Sequence, residues 1–176
     1  GHRWESAIFR SFGAKELEDQ LDGVRHLVSM GFVDEGRLGI YGWSYGGFMT
    51  LYSLLNAPET FRAGVAGAPV SDWRNYDTIY TERYMGLPSE NEAGYRRSAP
   101  VYQAANLKAG LLLIHNLEDD NVLFQNTLQM ANALESAGRP FEMMLYPQKT
   151  HAVTGALRLH LLELVESYFE RLLRGA

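Results

Sequence analysis

The 176-residue chain contains no cysteine, and this absence excludes three kinds of chemistry. Without thiols there can be no disulfide bridge, no thiol nucleophile and no thiolate metal site. The chain also has no run of about 18 apolar residues, which is the length that a membrane-spanning helix needs. Its N-terminus lacks the basic and apolar regions of a signal peptide. We therefore expect no membrane segment in this chain, and its cellular compartment stays open.

Positive charge is also scarce. Lysine and arginine number 16 against 21 aspartates and glutamates, which gives a formal net charge of −5. A nucleic-acid-binding domain normally carries a basic surface, so no nucleic-acid partner is predicted. The glycines between positions 39 and 47 lack the G-x-G-x-x-G spacing of a dinucleotide site. No motif for a metal ion is present either, and the sequence thus predicts no cofactor.

Repeats, low-complexity segments and interdomain linkers are missing as well, and the length fits one domain with a substantial core. Short apolar runs alternate with amphipathic stretches, which is typical of a parallel sheet covered by helices on both faces. The predicted strands are residues 38–43, 62–68, 111–115 and 141–146, and the predicted helices are residues 14–30, a segment from Ser44 to before Pro58, 122–137 and 155–173. An irregular, aromatic-rich stretch at about 70–108 remains, and long insertions of this kind usually have a function.

Residues 42–47 read Gly-Trp-Ser-Tyr-Gly-Gly, a G-x-S-x-G sequence between a predicted strand and a predicted helix. In this position the motif is typical of a serine held on a sharp turn with its hydroxyl exposed. Glycine is expected at Gly42 and Gly46 because a Cβ at either place would collide with the closely packed strand and helix. Ser44 is therefore the candidate nucleophile.

Two later loops offer the groups that such a serine needs. An imidazole must take the proton of the hydroxyl, and a carboxylate must orient that imidazole. In α/β-hydrolases the acid and then the histidine follow the serine, each on a loop after a strand. Here an acidic loop, residues 116–121, follows the third predicted strand, and His151 follows the fourth. Both loops lie beyond the carboxyl ends of parallel strands, where ligands of such sheets bind.

Three adjacent carboxylates compete for the role of the acid: Glu118, Asp119 and Asp120. Acidic loops are often ordinary turns, and Asp120 or Asn121 would serve equally well as a cap of the helix predicted from residue 122. The spacing of the residues leaves this choice open. It predicts only that one of these carboxylates meets the histidine of the following loop.

The other histidines have simpler interpretations. His26 is expected to pack, partly buried, near the apolar face of the first helix, and His115 is expected to support the acidic loop from the end of the third strand. His160 lies on the final helix and His2 at the N-terminus. Only His151 follows a strand after the acidic loop, so it is the candidate base.

Several segments together match one known family. Residues 42–47 (GWSYGG), 80–86 (YTERYMG) and 119–122 (DDNV) resemble the dipeptidyl peptidase IV branch of the prolyl oligopeptidase family, as do residues 17–20 (LEDQ) and 30–34 (MGFVD). The resemblance runs from about residue 12 to the C-terminus. It implies an α/β fold, namely the C-terminal portion of an α/β-hydrolase with a mainly parallel sheet and helices on both faces.

The resemblance also implies catalytic roles. Ser44 matches the nucleophile, Asp119 the orienting acid and His151 the base, while the backbone N–H of Tyr45 matches an oxyanion donor. The implied reaction is peptide hydrolysis through an acyl-enzyme, with a peptide as the substrate. The resemblance further implies that N-terminal dipeptides with proline or alanine in second position are released. Alternatives are an acylaminoacyl peptidase or esterase with the same triad, and a catalytically silent fragment that only self-associates.

Substrate contacts are implied in the same way. Asn121 resembles the residue that holds the backbone of the substrate, with Arg83 close by in support. Flat aromatic rings in the insertion would form a slot for a proline-sized side chain. The residues implied to line this pocket are Val70, Trp73, Tyr76, Tyr80 and Val122.

The chain departs from the family in two ways. Asn116 and Ala152 stand where relatives commonly carry glycine; Asn tolerates a positive φ and Ala does not, so the loop of His151 is expected to differ. Residues 1–176 are also expected to be a partial catalytic domain that lacks the upstream strands, with their second oxyanion donor, and the β-propeller. The strand at 38–43 would then be an exposed apolar edge. We therefore expect a homo-oligomer formed by pairing of these strands across a two-fold axis.

Overall fold

Four parallel strands form one sheet in the computed structural model, which describes residues 1–174. The strands follow the chain in the order β1-β2-β3-β4. They are β1 (Gly39–Trp43), β2 (Ala63–Gly67), β3 (Gly110–Asn116) and β4 (Glu142–Tyr146). Each predicted strand is confirmed to within one residue at either end, and β3 is one residue longer at each end than predicted.

Seven α-helices connect and cover the strands within the described residues. They are α1 (His2–Glu5), α2 (Ala14–Ser29), α3 (Tyr45–Asn56), α4 (Thr78–Met85), α5 (Glu92–Arg97), α6 (Gln125–Ser136) and α7 (Ala156–Phe169). Short 3-10 turns lie at Ser6–Ile8, Glu35–Arg37, Trp73–Asn75 and Pro100–Asn106, and a π-helical turn, Glu170–Arg174, follows α7. None of the helices between residues 1 and 174 has the length and apolar character needed to cross a membrane.

The parallel register brings the carboxyl ends of all four strands to one edge of the sheet. Gly39 pairs with Ala63, Ala63 with Gly110, and Leu112 with Glu142. Alternate strand residues point to opposite faces, so each face needs its own covering layer. Helices α3 and α6, with Val24 of α2, cover one face, and α7 covers the other. The predicted parallel sheet with helices on both faces is therefore confirmed.

A third apolar cluster lies beneath the irregular segment between β2 and β3. It joins residues from the start of α2, from α3, from α4 and from the loop after β3. Its fully enclosed members are Phe12, Leu17, Phe48, Tyr52, Val70, Trp73, Met85, Tyr95 and Val122. This cluster gives the aromatic insertion a packed base beside the carboxyl end of the sheet.

One expectation for a side chain was wrong. His26 is exposed on α2 rather than partly buried, because the packed face of this helix passes through Leu17, Leu21 and Val24 and leaves the neighbouring positions in solvent. In the loop of His151, neither Ala152 nor Asn116 has a positive φ, so neither position requires glycine in this structure. Glycine occupies the left-handed conformation a few residues later, at Gly155.

Candidate active site

Ser44 lies on the turn between β1 and α3, with backbone angles φ 60° and ψ −118°. A positive φ is unfavourable for a residue with a Cβ, and such strain costs about 1–3 kcal/mol. Two backbone hydrogen bonds oppose it: the N–H of Ser44 donates to the carbonyl of Gly67 at 2.8 Å, and the N–H of Phe48 donates to the carbonyl of Ser44 at 3.0 Å. The half-buried serine is thereby held at the carboxyl end of the sheet.

Of the two glycines expected to relieve crowding in the turn, only Gly42 does so. A Cβ at Gly42 would lie 2.2 Å from the carbonyl oxygen of Gly46, so the strand and helix do require glycine there. A Cβ at Gly46 would meet no other atom within 4 Å, which makes that part of the prediction wrong. The second close approach is at Gly47, where a Cβ would lie 2.3 Å from the carbonyl oxygen of Gly67. Gly47 therefore lets α3 pack against β2.

Of the three adjacent carboxylates, only Asp119 is buried; Glu118 and Asp120 are exposed. The Nδ1 atom of His151 lies 2.8 Å from Oδ2 and 3.1 Å from Oδ1 of Asp119. Since a carboxylate can only accept, Nδ1 carries the proton in this contact. Helix α6 begins at Gln125 without a side-chain cap, so neither Asp120 nor Asn121 caps it.

Backbone groups hold the Asp119 carboxylate in place. Its Oδ1 atom accepts hydrogen bonds from the N–H groups of Asn121 at 3.0 Å and Val122 at 2.9 Å. Buried charges are stable only when such partners compensate for the lost water. The carboxylate is therefore oriented by its own loop, and its second oxygen faces the imidazole.

Three contacts fix the loop that carries His151. The indole N–H of Trp43, the last residue of β1, donates to the carbonyl of His151 at 2.8 Å. The side-chain amide of Asn116 donates to the carbonyl of Thr150, and the N–H of Glu118 donates to the carbonyl of Lys149. Over residues 1–174, no hydrogen bond joins the Ser44 hydroxyl to the His151 imidazole. The Trp43 contact nevertheless ties the histidine loop to the residue before Ser44.

His115 supports the acidic loop, as expected. Its ring is buried, with Nε2 at 2.8 Å from the carbonyl of Val122 and Nδ1 at 2.7 Å from the hydroxyl of Thr127. Burial lowers the pKa of this imidazole, which favours its neutral form. The carbonyl can only accept, so Nε2 carries the proton and Nδ1 accepts from Thr127. The side chain thus joins β3, the acidic loop and α6.

A cavity of about 220 Å³ opens beside the serine. The residues that line it are Ser44, Tyr45, Val70, Trp73, Tyr76 and Tyr80. Trp73 and Tyr80 stack at 6.2 Å between ring centroids, and Tyr76 stands edge-on to Tyr80 at 5.3 Å. Val122 is fully buried in the apolar cluster behind this wall. The structure thus brings the residues of the predicted pocket together.

The remaining two candidates behave differently from each other. Asn121 is exposed, and its Oδ1 atom accepts a hydrogen bond of 2.9 Å from the hydroxyl of Tyr76, which lines the cavity. Arg83 is exposed on α4, and its guanidinium lies 6.0 Å from the ring of Tyr84. Across the described part of the chain, Arg83 makes no hydrogen bond or ion pair. The structure therefore does not bring Arg83 into contact with Asn121.

Two residues of the site were not found from the sequence. Phe12, only 1% exposed, packs against Trp73 with 4.6 Å between ring centroids. Glu16 of α2 accepts a hydrogen bond from the hydroxyl of Tyr45. Both precede the serine by about 30 residues, and only tertiary packing brings them close. The available signal was the family resemblance of residues 17–20, which begins directly after Glu16.

No group of three or more metal-ligating side chains is present in residues 1–174.

A parallel sheet with a serine on the strand-to-helix turn, followed by an acid and a histidine on later strand-end loops, defines an α/β-hydrolase domain. Residues 1–176 match the family model described as the prolyl oligopeptidase family. The chain therefore belongs to this family of serine peptidases, which confirms the predicted family and fold class.

Individual relatives agree with this membership. The chain is 44% identical over 159 residues to dipeptidyl peptidase 4 of Bos taurus, and 43% identical over 158 residues to prolyl endopeptidase FAP of the same species. These matches cover 89% and 88% of this chain, and 21% of each relative. The crystal structure of Porphyromonas gingivalis dipeptidyl peptidase 4 superposes with a TM-score of 0.93 at 40% identity, over 97% of this chain and 24% of that one. The chain thus spans about a fifth of the length of its curated relatives.

Proposed function

We propose that this chain carries the catalytic triad of a serine peptidase, with Ser44 as nucleophile, His151 as base and Asp119 as orienting acid. The observation that carries the proposal is the 2.8 Å hydrogen bond between the buried Asp119 carboxylate and His151, whose loop is tied by Trp43 to the strand of the serine. Membership of the prolyl oligopeptidase family supports it independently.

The proposed reaction proceeds in two halves. His151 accepts the proton of the Ser44 hydroxyl through Nε2 while Oγ attacks the carbonyl carbon of the peptide. The oxyanion that forms accepts a hydrogen bond from the N–H of Tyr45. When the intermediate collapses, the C–N bond breaks and His151 gives its proton to the leaving amine. Water, deprotonated by His151, then attacks the acyl-enzyme, which releases the acid and restores the serine.

The proposed substrates are peptides from which N-terminal dipeptides are released, with proline or alanine in second position. A cavity of about 220 Å³ with an aromatic wall suits a small, flat ring. Asn121, hydrogen-bonded to the cavity residue Tyr76, is the proposed contact for the backbone of the substrate. The name dipeptidyl peptidase 4 among the relatives supports this specificity.

Other parts of the site are proposed to lie outside these 176 residues, in upstream strands of the hydrolase domain and in a β-propeller. Relatives are about five times as long as the matched segment, which leaves room for both. The expected contributions are a second oxyanion donor and acidic groups for the free amino terminus. Loss of one oxyanion donor typically lowers kcat by about 10²–10³.

A fluorophosphonate probe tests the proposal, because it forms a covalent bond only with an activated serine. In the protein expressed from its complete gene, Ser44→Ala should abolish labelling. Ser89→Ala removes an exposed serine in a turn after α4 and is the matched control, which should label like the wild type. Labelling of the Ser44→Ala variant at an undiminished rate would contradict the assignment.

The alternative of an acylaminoacyl peptidase or esterase uses the same triad and differs only in substrate. Profiling with paired peptides, one with a free and one with an acetylated N-terminus, separates these activities. A dipeptidyl peptidase should cleave only the free peptide after the second residue. Faster cleavage of the blocked peptide would favour the alternative.

A second proposal concerns assembly. We infer that the 176-residue chain self-associates through β1, which is the edge of the sheet in the described residues. The exposed edge of a strand presents unpaired backbone N–H and C=O groups to a second copy. Tyr41 in the middle of β1 is 45% exposed and adds apolar surface to this edge. If the probe does not label this chain, self-association is the only activity proposed for it.

A further inference from the structure

Glu16 lies in the first turn of α2, and its carboxylate bridges two parts of the chain. Its Oε2 atom accepts a 3.0 Å hydrogen bond from the N–H of Gly13, and its Oε1 atom accepts one from the hydroxyl of Tyr45. Gly13 has a φ of 94°, and its backbone packs against the ring of Tyr52. The carboxylate therefore connects a rigid turn before α2 to the residue that follows Ser44.

Tyr45 takes part in the site twice. Its ring lines the cavity, and its backbone N–H is the proposed oxyanion donor. Ring centroids of Phe12, Phe48 and Trp73 lie 5.7, 5.3 and 5.5 Å from that of Tyr45. These contacts fix the body of the side chain, while the hydroxyl at its end is held by Glu16 alone in the described structure.

The strained turn at Ser44 makes such support necessary. A residue keeps an unfavourable φ only where the surrounding structure imposes it. The hydrogen bond from the N–H of Ser44 to the carbonyl of Gly67 constrains the turn from β2, and the hydrogen bond from the N–H of Phe48 to the carbonyl of Ser44 constrains it from α3. The hydrogen bond between Glu16 and Tyr45 adds a constraint from α2.

We propose that Glu16 is a positioning residue that fixes Tyr45 and, through it, the oxyanion-donating N–H beside Ser44. This role rests on the proposed peptidase function of Ser44. Glu16 touches no substrate in this proposal and acts only through Tyr45. Neighbouring carboxylates of α2 have another role: Glu18 and Asp19 are exposed and pair with Lys15 on the solvent side of the helix.

Five variants of the protein expressed from its complete gene test the proposal. Glu16→Ala removes the acceptor, and Tyr45→Phe removes the donor while keeping the ring. Glu16→Gln keeps a group that can accept from Gly13 and donate to the Tyr45 hydroxyl, so it should restore the link. Glu18→Ala removes a carboxylate one half-turn away and is the matched control. The double variant Glu16→Ala/Tyr45→Phe completes a cycle.

The measurements are the rate of fluorophosphonate labelling at Ser44, and kcat and KM with a dipeptidyl amide whose bond after the second residue is cleaved. Glu16→Ala and Tyr45→Phe should each lower labelling and kcat by about tenfold with KM changed by less than about twofold, because the N–H stabilises only the transition state. The double variant should be no worse than either single variant. Glu16→Gln should stay within about threefold of the wild type, and Glu18→Ala should equal it.

The outcomes separate the two proposals. Wild-type protein that the probe does not label overturns the peptidase function, and the positioning role with it. If the wild type is labelled but the two effects multiply in the double variant, so that its labelling rate and kcat fall about a hundredfold, the positioning role alone is overturned. A Glu16→Ala variant with the wild-type rate does the same. If Glu16→Ala does not fold, Tyr45→Phe serves as the test, and labelling of Tyr45→Phe at the wild-type rate overturns the positioning role.

Discussion

At the scale of single residues, the site depends on where side chains are absent as much as on where they are present. Ser44 carries the strained backbone, yet the glycines around it relieve crowding at other points. The missing Cβ at Gly42 leaves room for the first turn of α3, and the missing Cβ at Gly47 leaves room for β2. Gly46, the second glycine of the G-x-S-x-G motif, faces open space instead. The motif therefore contains one glycine required by packing, and the second required glycine lies just outside it.

This difference gives a matched pair of variants. Gly47→Ala would place a Cβ 2.3 Å from the carbonyl oxygen of Gly67, and a backbone oxygen in a central strand cannot move aside. We expect a loss of about 3 kcal/mol in the free energy of unfolding. Gly46→Ala meets no atom and should be between equally stable and about 1 kcal/mol more stable. Urea unfolding of both variants measures the effect, and equal stability of the two would contradict the argument.

At the scale of strands, helices and loops, the sequence was most informative where local pattern decides the structure. The four apolar runs predicted the strands, and the order of serine, acid and histidine predicted which strand-end loops meet. Local pattern could not choose between Glu118, Asp119 and Asp120, because burial of one carboxylate depends on how the loop folds over the sheet. Local pattern could not predict the contact of Phe12 with Trp73 for a similar reason, since only the packing of α2 against the aromatic insertion brings the two rings together.

His115 gives a prediction at this scale, because it joins β3 to the acidic loop and α6. Burial, the largest influence, holds its pKa below the ordinary value of 6.5, although the nearby Asp119 carboxylate acts in the opposite direction. The unfolded chain therefore takes up a proton near pH 6.5 while the folded chain does not. Stability from this group is present above pH 6.5 and is lost as the pH falls towards the folded pKa.

We expect His115→Gln to remove this part of the pH dependence. Between pH 7 and 5 the wild type should lose stability with a slope of at most about 1.4 kcal/mol per pH unit from this one group. The variant should be less stable at pH 7 but show a shallower slope. His26→Gln, which removes an exposed imidazole of α2, is the control and should keep the wild-type slope. Parallel curves for wild type and His115→Gln would contradict the prediction.

At the scale of the whole molecule, the sheet has two unequal edges in the described residues. β4 ends the sheet on one side and β1 on the other. The candidate nucleophile follows directly on β1, so whatever pairs with this strand lies beside the active site. In the complete gene product, upstream strands are proposed to occupy this position. In the 176-residue chain alone, a second copy is the proposed occupant.

Self-association through β1 should respond to a charge placed on that edge. Tyr41→Lys puts an ammonium group in the middle of the strand, where pairing with a second copy would bring two like charges together and bury them. Ile79→Lys makes the same change on α4, where the side chain is 86% exposed, and is the matched control. In sedimentation velocity the wild type and Ile79→Lys should form dimers as the concentration rises, while Tyr41→Lys should remain largely monomeric. A wild-type chain that stays monomeric at high concentration would refute pairing at this edge, and association that Tyr41→Lys leaves unchanged would place the interface elsewhere.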